Sequence, residues 1–159
     1  METINKNKNL LIFLLIIVLV FVLFCFIPHK KISESVLKTE NINYVEIGGQ
    51  KIKVEVVSTP ENQEKGLSGR KELKENEGML FVFDKSDQHF FWMKDMNFPI
   101  DIIWLDEGLN VIYIKKNVAP KSFPESFGPN KNAKYVLELI SDFSEKNNLK
   151  EGDSAKFLP

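Results

Sequence analysis

The chain has a single cysteine, Cys25, and it falls inside a long apolar run near the N-terminus. Everything after that run therefore has no disulfide framework, no cysteine-ligated zinc site and no thiol nucleophile. Stability there must come from a hydrophobic core and its hydrogen bonds. Charge of one sign is also scarce, with a formal net charge of −1 at pH 7. A dedicated nucleic-acid binder would show a basic field, so that class is excluded. The two histidines, His29 and His89, are too far apart to form a local metal-ligand motif. No Gly-x-Ser-x-Gly elbow occurs, and Gly48-Gly49 reads as a turn, not a phosphate loop. Internal repeats and low-complexity tracts are missing too. The sequence thus names no cofactor, no metal and no catalytic residue.

What is present is divided in two. Residues 10–27 are apolar without interruption. As a helix they would be roughly 27 Å long, close to the roughly 30 Å hydrocarbon core of a bilayer. A cleavable signal peptide is the competing reading. The run is longer than a typical signal core, however, and Phe24-Cys25-Phe26-Ile27-Pro28 offers no small-x-small cleavage site. Bulky Phe24 argues against lipid attachment at Cys25. The expected organisation is a short tail (residues 1–9), a transmembrane anchor (10–27), a polar tether (28–41) and one β-rich domain (42–159). Lys6 and Lys8 before the run are balanced by Lys30 and Lys31 after it, so the positive-inside rule gives little bias. A short tail ahead of a large domain favours a single-pass protein of the cell membrane with its C-terminal domain extracytoplasmic.

Within the domain the apolar pattern is mostly of period two. Strands are expected at 44–47 and 50–57 around the Gly48-Gly49 turn. Thr59-Pro60-Glu61 opens a short helix, with a capping threonine and proline in the first turn, and Gly66 ends it. Further strands are expected at 78–83, 88–94, 100–105, 111–116, 135–140 and 154–158. The segment 84–87 reads as a turn, and 117–132 as a long proline-marked loop. A second short helix is expected from Ser141, its cap, to about Asn148 in a left-handed terminating position. The sum of about seven or eight strands and two short helices predicts a mainly β fold, a small antiparallel barrel-like sheet.

The densest stretch, residues 90–101, packs three phenylalanines, a tryptophan and two methionines among charges. Lys94 shares a strand face with Phe90 and Trp92, Asp101 with Ile103 and Leu105, and Glu138 with Val136 and Ile140. If those faces point inward the charges must pair, since an isolated buried charge is too costly to keep. Arg70, on a glycine-rich loop, offers a bidentate partner for either carboxylate. One outcome is a structural ion-pair cluster. Another is a binding patch in which Arg70 and Lys94 hold an anionic or sugar-like ligand, Trp92 stacks on it, and Asp101 and Glu138 complete the site. A third is a small hydrolase using Asp101 and Glu138, which requires the two carboxyls to stand roughly 5–9.5 Å apart. Met79, Met93 and Met96 could be soft copper(I) ligands, but methionines in aromatic strands are ordinarily core filler.

Gly66-Leu67, Arg70, Gly78-Met79-Leu80-Phe81, Phe91-Trp92-Met93-Lys94, Pro99-Ile100-Asp101, Tyr135-Val136-Leu137-Glu138-Leu139 and Gly152-Asp153 occur in that order. On these motifs the chain resembles the domain-of-unknown-function 192 family over residues 44–158. The resemblance implies a compact, mainly β domain, often behind a signal or membrane anchor, and no established activity. Ser68-Gly69 stands where the family commonly has Met-x before the arginine, Asp95-Met96 replaces a usual Asn-Thr pair, and Ser141-Asp142 stands where glycine is usual. The expected role is a non-catalytic binding module of the cell envelope, with a small ligand or an envelope protein as partner. The alternatives are the hydrolase and a purely structural or assembly module.

Overall fold

Gly48 and Gly49 close the first hairpin, both at positive φ (57° and 75°). That turn geometry matches the twist of the strands it joins, β1 (Tyr44–Ile47) and β2 (Gln50–Val57). The computed structural model describes residues 41–159. The expected tail, the anchor at 10–27 and nearly all of the tether lie outside the described residues. Among the described residues no helix is long and apolar enough to cross a membrane.

Helix α1 (Pro60–Lys65) forms where its signals lie. Thr59 Oγ1 accepts from Asn62 N at 3.4 Å, and Gly66 ends the helix at φ 48°. This helix is the crossover that lets β2 pair in parallel with β3 (Glu77–Asp87), a pairing no tight turn can make. Beyond these come β4 (Phe91–Trp92), β5 (Ile100–Leu105), β6 (Val111–Val118), β7 (Ser126–Phe127), β8 (Ala133–Ile140), helix α2 (Phe143–Lys146) and β9 (Lys156–Leu158).

Seven strands make one sheet in the order β6-β5-β8-β3-β2-β1-β9, antiparallel apart from β2–β3, while β4 and β7 form a separate ribbon. The sheet curls until the chain entering its two edge strands meets at one end. There Asn110 bridges Ser154, Val111 N donates to Asp153 O at 2.7 Å, and Ala155 N donates to Leu109 O at 2.8 Å. The mainly β expectation holds; the barrel is a half-barrel.

Two cores lie on opposite faces. Leu80, Ile103, Leu105, Leu137 and Leu139 join one, and Met79, Phe81, Ile102, Trp104 and Val136 the other. Alternate residues of β3, β5 and β8 thus serve both cores, which is why β5 is buried at every position.

Some boundaries differ from expectation. Strand β3 runs on through the segment read as a turn at 84–87, with its register against β8 broken between Val82 and Asp87. The strand expected at 88–94 shrinks to Phe91–Trp92, because its partner is only the two-residue β7 and Asp95, at φ 56°, turns the chain. Helix α2 starts later than expected, with Asp142 rather than Ser141 at the cap position and no capping bond from the Asp142 side chain. Asn148 does take the left-handed position, at φ 52°.

Candidate functional site

Asp101 is fully buried and fully used. Its Oδ1 accepts from Asn117 N and its Oδ2 from Ser144 N, each at 2.8 Å. The second bond caps α2 from a neighbouring strand, supplying what Asp142 does not. Asn117 extends the clamp, its Oδ1 accepting from Asp142 N at 2.8 Å. This carboxylate holds the end of β6 and the start of α2 in place.

Glu138 faces the other way. On β8 it stands opposite Ile102, whereas Asp101 stands opposite Leu139. Adjacent strand positions project to opposite faces, so the two carboxylates lie on opposite sides of the sheet. They cannot flank one substrate, and the Asp101–Glu138 hydrolytic pair is corrected on that geometry.

Lys94 also departs from expectation. Its face of the segment points outward: Phe90 is 58% exposed, Trp92 49%, and Lys94 is exposed with them. Met93, of the opposite parity, is buried, so Lys94 needs no buried partner. It borders a shallow groove with Glu61, Glu64 and Trp92. Arg70 pairs with neither candidate carboxylate; its Nη2 donates to Glu55 Oε2 at 2.6 Å near the surface. Glu55, Met79 and Glu138 are successive register partners across β2, β3 and β8. The guanidinium charge is thereby felt at Glu138 without touching it.

Two of the five candidates, Trp92 and Glu138, line a deeper cavity than the groove beside Lys94. It has a volume of about 270 Å³ and lies among the end of α1, β3, β8 and the 88–92 segment. Phe81, Phe83, Phe90, Phe91 and Trp92 contribute its aromatic wall. Phe81 and Phe91 meet edge to face at 4.8 Å, while His89 stacks flat on Phe83 at 3.5 Å. At the mouth, exposed Phe123 packs edge to face with Trp92.

Glu138, only 4% exposed, contributes the buried carboxyl of this cavity. Its Oε2 has no hydrogen-bond partner among the described residues. Burial pushes the carboxyl up to about 8, against a smaller opposing pull from Arg70. Burial also lowers the His89 imidazole, offset in part by the Lys85 and Ala133 carbonyls and the Asp87 charge. His89 is fixed through its backbone too, since Trp104 Nε1 donates to His89 O at 2.8 Å. No group of His, Cys, Asp and Glu able to hold a metal ion occurs among the described residues.

Sequence reasoning missed Phe83, His89 and Gln63 as wall residues. Alternation in the 88–94 segment was visible, but which parity faced solvent was not.

The family model DUF192, described as an uncharacterized ACR, matches residues 43–157. The chain belongs to this family. A DUF192-like fold is shared by a protein of unknown function from Novosphingobium aromaticivorans, solved as a crystal structure. It is 28% identical at a TM-score of 0.69, over 72% of this chain and 84% of that one. A crystal structure described as a candidate transcription regulator from Sinorhizobium meliloti is 24% identical at a TM-score of 0.67. That alignment covers 72% of this chain and 90% of the other, and at this identity it shows the fold alone. Comparison with curated proteins finds no match. Ser68 and Met96 of this DUF192 chain both line the cavity.

Proposed function

We propose that this DUF192 domain is a non-catalytic binding module whose site is the aromatic cavity around Glu138. Residues 10–27 hold it at the cell membrane, with the domain on the extracytoplasmic side. The uninterrupted apolar run supports that placement.

The observation that carries the binding reading is the unpartnered Glu138 oxygen at a cavity wall. Buried polar groups in folded proteins are nearly always hydrogen-bonded, and an exception beside an open space calls for a partner from outside. The surroundings fit a ligand site, with apolar walls and few polar groups. Non-catalytic action is favoured because Asp101, which would complete a hydrolytic pair, is locked on the opposite face. Arg70 and Lys94 leave the candidate set, whereas Trp92 and Glu138 remain.

The test is a small-ligand screen by NMR on the full chain in detergent micelles. Ligands should perturb Trp92 and the Phe81 neighbourhood, and Trp92→Ala should weaken them without unfolding the domain. Ligands that bind only in other grooves, or indifferently to Trp92→Ala, would overturn the reading. Protease accessibility of the domain in intact cells tests the membrane placement.

A further inference from the structure

We propose that the cavity takes an organic cation of the alkylated-ammonium class, with aromatic rings around the alkyl groups and the Glu138 carboxylate as counter-ion. This rests on the binding reading above and narrows it to a ligand class.

The wall chemistry separates the candidates. Ring faces carry negative electrostatic potential, and quaternary ammonium ions are recognised by aromatic cages. Here five aromatic side chains surround a cavity with one buried carboxyl. A sugar would need several donors and acceptors converging on it, and three of the polar side chains at this wall, Gln63, Ser68 and His89, already bond to backbone carbonyls, leaving Gln88 with Glu64 and Lys65 at the end of α1. The Gln63 amide donates to Val82 O at 2.9 Å, Ser68 Oγ donates to Lys94 O at 2.8 Å, and His89 Nε2 lies 3.3 Å from Lys85 O. A quaternary cation requires none of them.

An anion fares worse. The charged groups around Glu138 are Glu64 and Lys65 at the end of α1, His89 on the 88–92 segment, and Arg70 on the loop after α1. Glu64 offsets Lys65, and Glu55 of β2 already holds Arg70. From the sheet, Lys115 shares Glu138's cross-strand row through Ile102, but it sits 4.6 Å over the Phe127 ring. None of these cations is bonded to Glu138, so the cavity has a free carboxyl and no dedicated anion contact.

Without ligand the carboxyl keeps its proton at neutral pH, because burial disfavours the ion. Binding of a quaternary cation then releases that proton to solvent, leaving carboxylate against ammonium. Affinity must rise with pH until Glu138 is ionised. Burial holds the His89 imidazole below its ordinary range, so the window between pH 7 and 9 reads Glu138 and not His89.

The experiment is calorimetric titration of the full chain in detergent with choline, benzyltrimethylammonium and 3,3-dimethylbutan-1-ol, the neutral carbon isostere of choline. Given Glu138 near 8, the cations should bind about tenfold more tightly at pH 9 than at pH 7, with proton release at pH 7 read from buffer dependence. Glu138→Gln should cost the cations at least about tenfold and abolish their pH dependence, while affinity for the isostere barely moves. Trp92→Ala, at an exposed position, provides a second variant that keeps the fold and weakens the cations. Equal affinity for the isostere, or tighter cation binding at lower pH, would overturn the cation class and leave the binding site standing. Failure of both cations to bind would also overturn it, and the screen for other ligands then decides the broader reading independently.

Discussion

Replacing Glu138 by glutamine should stabilise the domain at neutral pH, although the residue is enclosed. The carboxyl moves from 4.5 to about 8 on folding, chiefly by burial. Between those values the folded chain carries a proton that the unfolded chain has lost. Stability is therefore greatest below pH 4.5, falls as pH rises toward 8, and is level above it. Integrated to pH 7 this is a cost on the order of 3 kcal/mol. Glutamine keeps the volume and cannot ionise; its amide exchanges one unpartnered polar group for another, which takes back about 1–2 kcal/mol. Urea unfolding of wild type and Glu138→Gln at pH 5, 7 and 9 gives the difference directly. It should run from up to about 1 kcal/mol in favour of wild type at pH 5 to about 3 kcal/mol in favour of the variant at pH 9. A pH-independent difference, or a variant less stable at pH 9, would refute the reasoning and mean that Glu138 is satisfied as an ion.

Asp101→Asn should go the other way. One of its two charge-assisted bonds becomes donor against donor, leaving a buried N–H unpaired at a cost of about 3–5 kcal/mol in the same unfolding assay. Gly78→Ala should destabilise by about 1–3 kcal/mol, because a Cβ there would stand 2.6 Å from Leu139 Cδ2 and 2.9 Å from Glu138 O. Arg70→Met breaks an exposed ion pair worth under about 1 kcal/mol. It also removes the charge that pulls the Glu138 carboxyl down, so carboxyl-carbon NMR should show that group titrating at higher pH.

Local chemistry was readable because it is local. Two adjacent glycines closed the first hairpin, and Thr59, Pro60 and Gly66 bounded α1 where they stand. The boundaries that moved depend on distant partners. Nothing within 84–87 announces that β8 will carry the strand onward, and nothing within 141–144 announces that Asp101 will cap α2. The site follows the same division. Period-two alternation correctly grouped Phe90, Trp92 and Lys94 but left open which way the group faced, and Met93 is the one that takes the core side. Asp101 and Glu138 were each placed with the right neighbours on their own strands. Their opposition across the sheet depends on the β5–β8 register, one residue of which decides the face. Arg70 found its partner in Glu55, on the solvent side of β2, a pairing that no local pattern announces.

The two buried carboxylates show how the same chemistry can serve different ends in one small domain. Asp101 accepts two backbone N–H bonds and ties three elements together; what it contributes is visible inside the molecule. Glu138 ties nothing, and its enclosed oxygen lowers stability at neutral pH. A leucine or methionine at that position would satisfy the core around Met79, Ile102 and Val136 without the penalty. The carboxyl therefore has no account within the packing, and the cavity it borders opens past Trp92 and Phe90 toward solvent. Strain of this kind is tolerable where binding relieves it, because a partner that meets the carboxyl recovers as affinity what the empty fold forgoes. On this argument the stability gained by Glu138→Gln and the affinity it loses have one source, and a variant that gained the first without the second would break the link between them.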